Sequence, residues 1–192
     1  NPYINYGLSF ILLSTNRFEK GFEKYEFRKK IKKKNEKINS KEWLGESLQY
    51  KTILILSEQG IGDLIQFTRY LFELNKEKTT KIILKINKKL EHLFNNQIFK
   101  IISDDDEIPE HDYHQYILSL PGIYYRLNKK FLPEVNFILQ KEKIYKKWKK
   151  KIRDIKGFKV GINWQGSKNY NDDYLRSIPL RYFEHLLDIN NI

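Results

Sequence analysis

The apolar run Thr52 to Leu56 is followed at once by Ser57-Glu58-Gln59-Gly60-Ile61-Gly62-Asp63 and then by a helical pattern. A strand, a glycine turn and a helix in direct succession constrain the fold more than any other stretch. Gly60 and Gly62 lack a Cβ, so they allow a tight turn and a close approach of a ligand to the main chain. Asp63 falls at the helix start. Its carboxylate has two roles open to it there: capping orphan N–H groups of the first turn, or pointing into the cleft at the carboxyl ends of the strands and acting as a base. The turn is not a Walker loop, which needs Gly-Lys-Ser/Thr. Nor is it a full dinucleotide fingerprint, because no third glycine follows at the required spacing.

From Thr52 onward, strand-like and helix-like segments alternate. Strands are predicted over 52–57, 81–86, 98–103, 115–119 and 159–164, and helices over 63–75, 88–95, 121–127, 141–154 and 180–188. This order predicts an α/β fold with a mostly parallel, Rossmann-like sheet, helices on its faces and ligands at the carboxyl ends of its strands. Upstream, Leu8, Ser9, Leu12 and Leu13 fall at helical spacing, Ser14-Thr15-Asn16 interrupt it, and Phe18, Gly21, Phe22 and Tyr25 resume it. Leu8, Ser9, Leu12, Asn16, Gly21 and Tyr25 have the spacing of a tetratricopeptide repeat, whose helices pack through small residues, and an ordinary αα-hairpin fits it too. One repeat cannot bury its face alone, so further repeats are expected ahead of Asn1.

Residues 31–50 are charged and polar, with Trp43 and Leu44 as strong apolar anchors, and read as a linker whose end docks on the next domain. The expected division is therefore 1–30 for the helix pair, 31–50 for the linker, 51–140 for the first sheet domain, and 141–192 for a connecting helix and the start of a second, truncated one. The chain has no Met, opens on Asn1-Pro2 inside an apparent helical repeat and stops at Ile192 after a helix-like segment, and so reads as a piece of a longer protein.

A net charge of +12 over 192 residues raises the question of an anionic partner. Most of the excess lies in Phe27 to Lys41 and Lys141 to Lys159, which read as solvated helical surfaces. The chain also lacks alanine and is rich in Lys, Asn, Ile, Tyr and Phe, the residues favoured by an AT-rich genome. No specific nucleic-acid partner is expected. Attraction to anionic substrates or to an anionic membrane face is the stronger consequence of the charge. His111 and His114 are spaced to bind a metal, but four His and no Cys make a poor ligand set, so no metal is expected. No apolar run reaches the roughly 18 residues of a membrane helix, so no transmembrane segment is expected.

Six blocks then occur in a telling order: Phe22 to Arg28, Trp43-Leu44-Gly45, Ser57 to Asp63 running into Ile65-Gln66-Phe67-Thr68-Arg69-Tyr70, Ser119-Leu120-Pro121, Gly161 to Gly166, and Arg176-Ser177-Ile178-Pro179. Together they resemble bacterial tetratricopeptide-repeat proteins with a heptosyltransferase-like (glycosyltransferase family 9-like) domain. The resemblance implies a GT-B architecture, two Rossmann-like domains facing across a cleft, with the acceptor held mainly by the first and the nucleotide-sugar by the second. It implies a cytoplasmic enzyme, able to work at the inner face of the membrane, that moves a sugar from a nucleotide-sugar donor onto an envelope glycan or protein acceptor recruited by the repeats. Neither cofactor nor metal is implied.

Residue by residue, Asp63 matches the family's general base, with Gln59, Gly60, Gly62, Gln66 and Arg69 as substrate contacts around it. Asn163, Trp164, Gly166, Ser167, Lys168 and Arg176 match the region that meets the donor diphosphate, where positive charge and backbone N–H groups would stabilise the leaving group. The sequence departs from heptosyltransferases in carrying Arg-Ser-Ile-Pro where they tend to have Lys-x-Trp-Pro, which leaves the donor open. The competing expectation is a tetratricopeptide interaction scaffold with a catalytically silent GT-B domain.

Overall fold

Alternation along Thr52-Ile53-Leu54-Ile55-Leu56 sends successive side chains to opposite faces of a strand, and both faces are covered. In the computed structural model, which describes residues 1–31, 38–58, 60–76, 78–94, 98–133, 142–167 and 172–189, this strand is the middle of a five-stranded sheet. The strands are β1 (Lys41–Glu42), β2 (Thr52–Leu56), β3 (Lys81–Ile86), β4 (Lys100–Ser103) and β5 (Tyr113–Tyr116), in the spatial order β1-β5-β2-β3-β4. Every pairing is parallel. Ile53 and Ile55 join the larger core with Ile82, Leu84 and Ile86, while Leu54 and Leu56 meet Ile83 and Ile102 on the other face. Each such side chain contributes about 1.5–3 kcal/mol by leaving water.

The chain divides into two compact units, Asn1–Leu139 and Gln140–Ile192. The first holds the sheet together with helices α1 (Pro2–Ser14), α2 (Phe18–Tyr25), α3 (Arg28–Ile31), α4 (Ile61–Phe67), α5 (Arg69–Leu74) and α6 (Leu120–Asn128). Helix α1 packs on α2 through small residues: Ser9 is fully buried, and a Cβ at Gly21 would lie 2.7 Å from Leu13 Cδ2. The turn between them places Asn16 at φ 60°, a left-handed conformation that asparagine tolerates.

Several elements differ from expectation for identifiable reasons. The predicted helix 63–75 is two helices that meet at Thr68, whose N–H and hydroxyl both donate to the Leu64 carbonyl at 3.0 and 2.6 Å, and whose own carbonyl accepts a tighter bond from the Leu71 N–H at 2.9 Å. The strand predicted over 115–119 is Tyr113–Tyr116, registered against Ile53 to Leu56, and Ile117–Ser119 forms a 3-10 turn. Segments 88–93 and 180–188 are 3-10 rather than α. Within 31–50, β1 pairs with β5, and Trp43 and Leu48 are buried while Leu44 is exposed. Residues 159–164 form no strand: each is exposed and none pairs with a strand among the described residues. The second unit instead carries helix α7 (Glu142–Arg153).

The helix pair is fastened to the sheet at Gly122 of α6, where an added Cβ would lie 2.8 Å from Phe22 Cβ and 3.0 Å from its Cγ. Those atoms sit close to the α2 backbone and cannot swing aside. A mid-helix Gly→Ala change ordinarily gains about 0.5–1 kcal/mol. Here Gly122→Ala is expected to cost about 1–3 kcal/mol through overpacking, as urea denaturation will measure.

Candidate functional site

The order of the strands locates the site. From β2 the chain moves outward through β3 to β4, then returns to lay β5 on the opposite side of β2. The crevice between the carboxyl ends of β2 and β5 is thus the topological switch point at which open parallel sheets take their ligands.

Three side chains from distant parts of the sequence meet there. Arg28, only 2% exposed, donates from Nε and Nη2 to Glu58 Oε1 at 3.1 and 2.6 Å. Its Nη2 also donates to Ser119 Oγ at 2.7 Å, and its Nη1 to Glu26 Oε1 at 2.7 Å. The Ser119 hydroxyl in turn donates to Glu26 Oε2 at 2.9 Å. The guanidinium also lies 4.6 Å from the centre of the Tyr25 ring. Burial pushes the Glu26 carboxyl up, but the charges of Arg28 and Lys29 outweigh it and hold the group below its ordinary range. Burial pushes the Tyr25 phenol up to about 12, against the pull of Arg28 and with the help of the Glu58 and Asp63 charges. Arg28 and Lys29 therefore do not belong to a solvated lysine face. Lys29 reaches Glu26 at 2.6 Å and Gln115 at 2.9 Å, which places it inside the same network.

Beside this network, Ser57, Glu58, Gly60, Asn87, Lys89 and Asp104 line a cleft of about 460 Å³ at the carboxyl ends of β2, β3 and β4. Asp63 is not in its wall. It sits third in α4, where its Oδ2 accepts from the Gly60 N–H at 3.2 Å and closes the first turn. Its other oxygen has no hydrogen bond among the described residues. Gly60 adopts ordinary extended angles (φ −87°, ψ 164°), and a Cβ at Gly62 would touch nothing within 4 Å. The turn alone does not require glycine at either place, so the open space over them is what their missing side chains provide. Gly62, Gln66 and Arg69 recur at helical spacing, with Arg69 Nε donating to the Gln66 carbonyl at 2.8 Å. Gln59 and Lys168 lie outside the described residues.

In the second unit, two segments are sewn together. The Ile178 N–H donates to the Trp164 carbonyl at 3.0 Å, and the Gly166 N–H to Ser177 Oγ at 3.2 Å. The Arg176 guanidinium lies flat against Gly166, where a Cβ would come within 2.5 Å of it, and its Nε donates to Asp173 Oδ1 at 3.0 Å. Hydrogen bonding from Ser177, followed by that of Arg176, holds the Asp173 carboxyl below its ordinary range. Asn163 and Ser167 stand exposed on the same loop.

Sequence reasoning missed the role of Arg28. An arginine heading a run of lysines, two residues after a glutamate, was the available signal. His111 and His114 do not converge on a ligand: His111 Nδ1 lies 2.7 Å from the Pro109 carbonyl and His114 Nδ1 lies 2.9 Å from Ser40 Oγ. Among the described residues no group of three or more His, Cys, Asp or Glu side chains could hold a metal, and no helix is long and apolar enough to cross a membrane.

Fold and site together define a mixed α/β protein with an all-parallel, Rossmann-like sheet, a buried polar network at its switch point and a cleft beside it at the carboxyl ends of β2, β3 and β4. No family model matches this chain, and no curated protein or solved structure matches it either.

Proposed function

We propose that this chain carries the acceptor-binding half, and the beginning of the donor-binding half, of a metal-independent inverting glycosyltransferase of GT-B type. The observation that carries this reading is the meeting of sequence blocks far apart in the chain. Arg28, Glu58 and Ser119, each from a different block, converge on the switch point, and Gly166 is joined to Arg176 and Ser177. Blocks that merely resembled a family by chance would have no reason to meet at the ligand-binding end of a parallel sheet.

In this reading the acceptor extends from the cleft across the open space over Gly60 and Gly62 to Asp63. The free oxygen of Asp63 takes the proton of the acceptor hydroxyl as that oxygen attacks the anomeric carbon of the donor sugar. The bond from that carbon to the nucleoside diphosphate breaks with inversion. Arg176 and the N–H groups of the 163–167 loop offset the charge that accumulates on the leaving group. The helix pair fixes the mouth of the site through Arg28 and presents the acceptor. A second reading keeps the tetratricopeptide-like part as a protein-binding scaffold and leaves the sheet domain silent. The capping bond from Gly60 to Asp63 favours it, because that bond gives Asp63 a purely structural use.

Incubating the full-length protein with a panel of uridine, guanosine, adenosine and cytidine diphosphate sugars, and following nucleoside diphosphate release, separates the two. The enzyme releases one nucleotide faster than spontaneous hydrolysis. Release at the hydrolytic rate for every donor, with no binding of any nucleoside diphosphate, identifies the scaffold.

A further inference from the structure

Helix α7 buries none of its side chains. At about 100° per residue, Ile144, Trp148, Ile152 and Tyr145 fall within an arc of roughly 100° that contains no charge. Lys147 and Lys151 border one side of the arc and Lys149 and Arg153 the other, with Lys143, Lys146 and Lys150 behind. Ile144, Trp148 and Ile152 are 51%, 54% and 42% exposed. The lysines at the border bend over the stripe: Lys149 Nζ lies 5.4 Å from the centre of the Tyr145 ring and Lys151 Nζ 5.0 Å from that of Trp148. Aliphatic stems along an apolar stripe with charged heads at its rim are the arrangement of a snorkelling interfacial helix.

The charge selects the occupant. Within the helix seven cations are set against Glu142, which pairs with Lys146 at 3.2 Å, and Arg153 pairs with Asp154 just past the helix end at 3.1 Å. A second copy of the helix would set like charges against each other, and these 192 residues, at a net charge of +12, offer little acidic surface to it. A nucleic acid would satisfy the lysines but leave Ile144 and Ile152 in water. A bilayer with anionic headgroups satisfies both at once, with phosphates at the level of the ammonium groups and acyl chains against the stripe.

We propose that α7 lies in the plane of an anionic lipid surface, with Ile144, Trp148 and Ile152 at the acyl boundary and the flanking lysines on the headgroups. This inference does not rest on the enzymatic reading. It is tested by co-sedimentation of the full-length protein with vesicles of phosphatidylcholine, with or without about 30% phosphatidylserine. Binding is expected to the anionic vesicles, to weaken about fivefold for each lysine removed in Lys147→Gln and Lys151→Gln, and to fall with added salt. Ile144→Ser with Ile152→Ser should reduce it at least about tenfold without changing the melting temperature in the absence of lipid. Equal binding to neutral vesicles would overturn the proposal, as would duplex DNA binding unaffected by the two serines with no vesicle binding. A fall in the lipid-free melting temperature of the serine variant would also overturn it, because the stripe would then be covered by protein.

Discussion

Arg28→Met will destabilise the first unit by about 3 kcal/mol and lower its Tm by roughly 6–12 °C. The substitution keeps the aliphatic stem and removes the guanidinium, so Glu58, whose side chain is 11% exposed, loses both of its bonds from Arg28. Ser119 Oγ loses its donor as well. Breaking one side of a buried pair is costly because the remaining charge stays in a poor solvent. The lower end of the usual range applies because Glu26, 39% exposed, can take up water instead. Adding Glu58→Gln to Arg28→Met should recover part of the loss, since the uncompensated charge is then gone. A loss under about 0.5 kcal/mol in urea denaturation would mean that the network is solvated and holds nothing in place.

The same network has a pH signature. The Glu26 and Glu42 carboxyls are both held below their ordinary 4.5, for Glu42 chiefly because the bond and charge of Lys29 outweigh the upward push of burial. A group whose pKa is depressed on folding contributes stability above its unfolded value and loses it as pH falls through its folded value. Stability should therefore change little on this account above pH about 5 and decline below about 4.5, with a shallower decline in Glu26→Gln.

Local signals carried most of what was legible in the sequence. β2 alternates Ile and Leu and ends at a glycine turn, so its state and its membership of a parallel sheet could be read, while its central place comes from the strand order. Strand β1 could not: Lys41-Glu42 has no apolar character and is extended because β5 offers it a ladder. Ile117 and Leu118 look more like a strand than His114 and Gln115, yet register against β2 decides the matter in favour of the polar pair. The error over 159–164 has the opposite origin, since an alternating pattern is no strand without a partner. For the site, the glycine turn and Asp63 were visible because strand, turn and helix are contiguous. Arg28 was hidden by its context, because a cation beside lysines reads as solvent-facing until the fold brings Glu58 and Ser119 to it from 30 and 91 residues away.

Turnover of Asp63→Asn in the full-length protein, with donor and acceptor saturating and nucleoside diphosphate release as the readout, bears most directly on the proposed reaction. The asparagine oxygen still accepts from the Gly60 N–H that Asp63 Oδ2 accepts now, and Asn caps about as well as Asp, so the Tm should hold. The basic oxygen is lost. If Asp63 takes the acceptor proton, turnover falls by about 100-fold or more while donor binding is retained. Turnover within a few-fold of the unaltered protein would contradict that role, leave Asp63 as a helix cap and favour the scaffold.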